Sequence, residues 1–131
     1  MDSASILFHP TRSDSAAELR RSRQLLAQLR GGWRPDEEIL AGARHVEQWT
    51  VRREPDAVIY QFVGHRSGCE DPLDHSSMII GSALAIAPAE GWALLASNAW
   101  VRLGATLPQT PPFDPADVAA RAEMWLQARS A

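Results

Sequence analysis

The stretch "VEQWTVRREPDAVIYQFVGH", residues 46–65, decides the fold of this chain. Its two halves, "VEQWTVRR" and "AVIYQFVGH", are rich in β-branched and aromatic residues, which are typical of strands. The residues "EPDA" between the halves have the chemistry of a turn. We therefore predict a β-hairpin in which Trp49 and Val51 face inward on the first strand. The second strand is apolar on both faces, which is typical of a central strand in a sheet.

Two helical patterns precede the hairpin. In residues 15–30, Ser15 and Glu18 form a capping-box pattern, leucines recur at helical spacing, and two glycines follow the last residue. A second, short helix is predicted in "PDEEILAGA", with Pro35 in its first turn and acidic residues beside the positive end of the helix dipole.

The pattern after residue 77 predicts further strands and a final helix. Alternation in "MIIGSALAIA" places four larger residues on one face and small residues on the other, where a helix can approach closely. The larger residues are Met78, Ile80, Leu84 and Ile86. The segments "WALLAS" and "AWVRLG" read as shorter return strands. In "FDPADVAARAEMWLQA", Asp114 is the predicted N-cap and Pro115 the first helical residue, and Val118, Ala122 and Trp125 form the predicted buried stripe.

The order of elements predicts an α+β fold. It is an antiparallel β-meander of four or five strands, with N-terminal helices and a C-terminal helix packed on the sheet. The length of 131 residues fits a single domain. Its expected parts are an N-terminal helical part (14–44), the β-meander (46–105), a proline-rich linker (106–113) and the C-terminal helix (114–129).

Composition narrows the functional classes. A single cysteine fits a reducing compartment, and no stretch has the pattern of a signal peptide or a membrane span, so we expect a cytoplasmic protein without a membrane partner. The thirteen basic residues are all arginine, as in GC-rich bacterial genomes, and the net charge of −3 disfavours a general nucleic-acid binder. The weaker alternative of nucleic-acid binding would use the arginines of the first helix, namely Arg20, Arg21, Arg23 and Arg30.

The region from Trp49 to Gly104 resembles a small bacterial family known as a domain of unknown function. Its pattern is a tryptophan-led strand, a Gly-His pair, a small residue followed by serine, "GWA", a serine, an aromatic residue and "RLG". The matching residues here are Trp49, Gly64-His65, Gly81-Ser82, Gly91-Trp92-Ala93, Ser97, Trp100 and Arg102-Leu103-Gly104. The resemblance implies a β-meander around a tryptophan-rich core, and it implies no activity. The loop with Cys69 and His75 departs from the pattern.

That loop, "GHRSGCEDPLDHSS", raises the question of a metal site. His65, Cys69 and His75 are ligand types that suit zinc, and carboxylates nearby could act as a base. The paired spacing of a structural zinc site is missing, however, and acidic neighbours disfavour Cys69 as a nucleophile. The first interpretation is a polar loop without a cofactor, and a zinc-binding enzyme or sensor is the alternative.

No phosphate-binding glycine loop, dinucleotide motif or catalytic triad pattern occurs in the sequence. We therefore expect a non-enzymatic interaction protein that binds another macromolecule, with a protein as the partner and a homodimer as an alternative. An inhibitor encoded by a phage or mobile element, such as an anti-CRISPR protein, would be a subclass. The first candidate contact site is the pair Trp33 and Arg34, and Trp33 is the tryptophan most expected to be exposed. The second is an acidic patch formed by Glu37, Glu38, Glu70, Asp71 and Asp74.

Overall fold

The computed structural model describes residues 12–66 and 78–130. It contains helices α1 (Arg12–Arg30), α2 (Glu37–Ala41) and α3 (Pro115–Ser130), and strands β1 (Arg44–Arg52), β2 (Gln61–Arg66), β3 (Met78–Ala87), β4 (Trp92–Leu95) and β5 (Trp100–Leu103). The predicted α+β class, with a meander between N-terminal helices and a C-terminal helix, is confirmed.

The five strands close into a barrel in sequence order. Each consecutive pair is antiparallel, whereas β1 and β5 pair in parallel through Arg44–Val101 and its two neighbouring pairs. Strand direction alternates along an antiparallel meander, so the first and fifth strands must run the same way. An odd number of strands can therefore close only through a parallel pair.

The barrel interior holds one of two hydrophobic clusters. Val46, Trp49 and Val51 of β1 are all buried there, although a strict period of two would place Val46 and Trp49 on opposite faces. Gln48 has a φ of 52°, and the pairing register shifts between Glu47 and Thr50. This bulge adds one residue to β1 and returns Trp49 to the interior. The prediction that Trp49 and Val51 face inward is confirmed.

The second cluster lies between the helices and the outer face of the barrel. Leu25 and Leu26 of α1, with Ala122 and Leu126 of α3, belong to the same buried group as Leu84 and Leu94 of the barrel. On α3, Leu126 is 2% exposed, while Trp125 is only half-buried. The C-terminal helix therefore packs on the sheet as predicted, with Leu126 instead of Trp125 in its buried stripe.

The predicted faces of β3 were wrong after Leu84. Ile86 lies in the barrel interior, whereas Leu84 belongs to the cluster under the helices. The register of β3 against β4 shifts between Ala83 and Ala85, and this bulge reverses the side to which the following residues point. Ile80, which alternation places on the same face as Leu84, is 57% exposed.

Helix starts follow the capping side chains. Asp36 is the N-cap of α2, because its side chain accepts a hydrogen bond from the Ile39 amide at 2.9 Å, so Pro35 lies before the helix and not in its first turn. In α3 the predicted start is confirmed, with Asp114 accepting from the Ala116 amide at 3.0 Å. Helix α1 begins at Arg12, three residues earlier than the capping-box pattern predicts.

A buried polar contact fixes the β4–β5 turn against α1. Ser22 is 1% exposed, and its hydroxyl donates to Asn98 Oδ1 at 2.6 Å. Asn98 has a φ of 69°, and its amide group donates to the Glu18 carbonyl at 3.2 Å. Asparagine tolerates this left-handed conformation better than most residues, so the contact holds a tight turn beside the first half of β3.

Candidate functional site

A slot opens in the barrel wall beside the first half of β3. β3 has ten residues and β4 only four, and β4 pairs with residues 83–87 of β3. Within 12–66 and 78–130, no strand pairs with residues 78–81 on the side away from β2. The slot has a volume of about 590 Å³, in the size range of ligand sites.

The walls of the slot are mainly apolar and come from three parts of the chain. β3 contributes Met78, Ile79 and Ile80, and the α2–β1 connection contributes Gly42, Ala43 and Arg44. The end of β4 and the start of β5 complete the wall with Leu95, Ser97, Ala99, Trp100 and Val101, and Ile39 lies above them. Ile80 has the highest exposed fraction of the large hydrophobic side chains that the structure describes.

Arg44 supplies the charge at the rim of the slot. Its side chain is exposed, and among the described residues it forms no ion pair. An exposed guanidinium beside an apolar slot is suited to a carboxylate, which it can bind through two parallel hydrogen bonds. The slot therefore has mainly apolar walls and, at its rim, the guanidinium of Arg44, which forms no ion pair among the described residues.

A second groove, of about 530 Å³, lies between α1, α3 and the β3–β4 turn. Its apolar floor includes Leu26, Leu29 and Trp92. The charges along its edge already neutralise one another, since Arg30 pairs with Glu123 and Arg34 lies 3.5 Å from Glu90. This groove offers apolar contact without an unpaired charge, so it is the weaker candidate.

The predicted contact residue Trp33 was wrongly expected to be exposed. It is half-buried, with its ring centroid 6.0 Å from that of Trp100, which in turn meets Trp92 edge-to-face at 5.4 Å. Trp33 packs against the cluster under the helices, beside the ring of Trp100. Arg34 is exposed, but its guanidinium donates to the carbonyls of Leu29 and Trp33, so it also closes the end of α1.

The predicted acidic patch is only partly within the described residues. Glu37 and Glu38 are exposed in the first turn of α2, where acidic side chains favour the helix dipole. Glu70, Asp71 and Asp74 lie outside the described residues. The patch, and the inhibitor hypothesis that depends on it, stay predictions.

The proposed zinc ligands are divided in the same way. His65 is half-buried in β2, opposite Glu47 on one side and Met78 on the other. Cys69 and His75 lie outside the described residues, so the zinc hypothesis stays a prediction. Within the described parts of the chain, no three His, Cys, Asp or Glu side chains are grouped to hold a metal ion.

The arginines proposed for nucleic-acid binding lie on α1. Arg20, Arg21 and Arg23 are exposed, as an off-stripe position predicts, while Arg30 is paired with Glu123 of α3. The nucleic-acid alternative stays a prediction.

A polar cluster ties α3 to the segment before β2. The Tyr60 hydroxyl donates to Asp117 Oδ2 at 2.7 Å, and Arg121 Nε donates to the same oxygen at 3.1 Å. The Tyr60 hydrogen bond is the main reason that the pKa of Asp117 lies below its ordinary value, and Arg121 and Arg53 lower it further. The same hydrogen bond, followed by burial, raises the pKa of Tyr60. The cluster positions α3 against the segment before β2.

Replacing Tyr60 by phenylalanine is expected to raise the pKa of Asp117 toward its ordinary value. Because the native pKa is lowered, the contribution of Asp117 to stability is present above the unfolded pKa, about 3.9, and is lost as pH falls through the native value. The difference in unfolding free energy between wild type and Tyr60→Phe should therefore shrink on acidification. An NMR titration of the Asp117 carboxyl carbon in both proteins measures the shift, and an identical pKa in both would contradict it.

Comparison with models of known protein families, with curated proteins and with solved structures yields no match for this chain. The resemblance to a bacterial domain of unknown function thus stays a prediction. Among the described residues, no helix is both long enough and apolar enough to cross a bilayer.

Sequence reasoning missed the slot. The usable signal was a ten-residue strand followed by a four-residue strand, because a short partner leaves part of the longer strand uncovered. Alternation along β3 assigns each side chain to a face of the strand, but it does not show where a neighbouring strand ends.

Proposed function

We propose that this chain is a small, cytoplasmic, non-enzymatic interaction protein that binds another protein at the slot beside β3. The observation that supports the proposal best is Ile80, a large apolar side chain 57% exposed at the edge of an apolar slot of about 590 Å³. An exposed apolar side chain grouped with others, beside polar or charged residues, is typical of a contact surface. Arg44 at the rim, which forms no ion pair among the described residues, adds a residue type enriched at interfaces.

The absence of a catalytic arrangement in the described residues is consistent with this proposal but does not support it by itself. One polar cluster consists of Tyr60, Asp117 and Arg121, and its hydrogen bonds position α3. The cytoplasmic location is proposed from the single cysteine, which fits a reducing compartment.

Site-specific photo-crosslinking in the native host tests the proposal. A benzophenone amino acid would replace Ile80 in one variant and Met124, which is 53% exposed on α3, in the matched control. We expect a defined protein adduct from position 80 and none from position 124. With that partner purified, Ile80→Asp should weaken binding at least about ten-fold, because a carboxylate would be placed in an apolar contact, and Met124→Asp should not. Equal adducts from both positions, or none from position 80, would overturn the proposal.

A further inference from the structure

The edge of β3 exposes main-chain hydrogen-bonding groups to the slot. In the β2–β3 ladder the Ala83 amide donates to the Tyr60 carbonyl at 2.9 Å, so Ala83 points its main-chain groups toward β2. Main-chain direction alternates along a strand, and the neighbouring Ser82 carbonyl accordingly points the other way, where it accepts from the Ala96 amide at 2.8 Å. By the same alternation, Met78 and Ile80 direct their amides and carbonyls away from β2 and into the slot.

These groups have no strand partner within the described residues, because the pairing of β4 begins at Ala83. The contact of Ala96 with Ser82 is the last one before the chain turns away toward Asn98. An unpaired strand edge is a template on which another extended chain can pair.

The walls of the slot select the shape of an occupant. One wall comes from the α2–β1 connection at Gly42 and Ala43, and the other from the β4–β5 turn at Ser97 and Ala99. An extended segment can pair with the β3 edge between these walls. A helix would leave the β3 groups unpaired, since its own main-chain groups are used internally. Residues 78–81 of β3 have no partner on this side within the described residues, so about four residues of an extended chain, at about 3.3 Å each, would cover this edge.

From these observations we infer that the slot binds an extended segment of a partner protein, which adds to β3 as an extra strand. This inference rests on the proposed function and names its mode of recognition. The segment pairs its main chain with Met78 and Ile80. Its alternate side chains are apolar and contact Trp100 and Ile80 on the slot walls, and an acidic residue near one end meets Arg44. Main-chain pairing supplies affinity, and the apolar positions and the single charge supply selectivity.

Selection from a phage-displayed library of random dodecapeptides against the full chain tests the inference. We expect enriched peptides with alternating apolar residues and one Asp or Glu. In synthetic copies, N-methylation at every second position should weaken binding at least about ten-fold, because it removes donors to β3, while N-methylation at the intervening positions should change it little. Arg44→Gln should reduce affinity for the acidic peptides, and Arg52→Gln, an exposed arginine at the other end of β1, serves as the control.

Three results would overturn the inference: no enriched peptide, binding that is insensitive to the pattern of N-methylation, or binding that survives Ile80→Asp unchanged. Occupation of the slot by another part of this chain would produce the first result. The two proposals fail separately. A protein adduct from position 80 without alternating N-methyl sensitivity would leave the interaction function standing and remove strand addition. Peptide pairing without an adduct in the host would show that the β3 edge accepts an added strand, but it would remove the proposal that a host protein binds there.

Discussion

Replacement of Phe62 by alanine is expected to lower the free energy of unfolding by about 3–5 kcal/mol, the range for truncating a buried aromatic residue. Phe62 is fully buried in the barrel, and its ring stacks on Trp49 at a centroid distance of 6.2 Å with planes 16° apart. Five hydrogen-bonded strands surround the position, so the walls cannot easily collapse into the space that the ring leaves. The cost should therefore lie toward the upper part of that range.

Urea unfolding at 25 °C measures the effect. Gln61→Ala, an exposed neighbour on the same strand, should change stability by less than about 0.5 kcal/mol. Because typical domains have only about 5–15 kcal/mol of stability, Phe62→Leu provides a milder variant, with an expected loss of about 1–2 kcal/mol. A loss below about 1 kcal/mol for Phe62→Ala would contradict the placement of this ring in a closed interior.

Replacement of Gly64 by alanine is expected to destabilise the barrel by about 1–3 kcal/mol through overpacking. A Cβ at this position would collide with Val46 Cγ1 and lie 3.2 Å from Trp49 Cβ. Gly64 sits within β2 and its residue is buried, so it serves close packing of β1 on β2 and not a turn at a strand end.

Gly42→Ala is the matched control, because Gly42 has a φ of −86° and the nearest atom to a new Cβ is 3.8 Å away. We expect its effect to stay within about 0.5 kcal/mol. The double variant Gly64→Ala with Val46→Ala should be less destabilised than the sum of the two single variants, since removal of Cγ1 relieves the collision. Equal costs for Gly64→Ala and Gly42→Ala, or strict additivity of the pair, would show that the collision does not determine the effect.

Much of the fold could be predicted because its signals are local. The hairpin in residues 46–65 has strand residues on both sides of a turn. The start of α3 is marked by three consecutive residues, since Asp114 caps the helix at the Ala116 amide and Pro115 is the first helical residue. The candidate site could not be predicted in the same way. Trp33 was expected to be exposed because glycines precede it, yet its burial depends on Trp100, which lies far along the chain.

The sequence by itself determined the kinds of elements, their order, and the inward direction of Trp49 and Val51, since periodicity and capping act over a few residues. The tertiary structure alone decided the parallel closure of β1 on β5, the opposite faces of Leu84 and Ile86, and the slot beside Ile80. These features depend on the number of strands, on bulges, and on how far one strand extends past its neighbour. Each of those quantities is settled by hydrogen bonds and packing between distant residues, for which no local pattern exists.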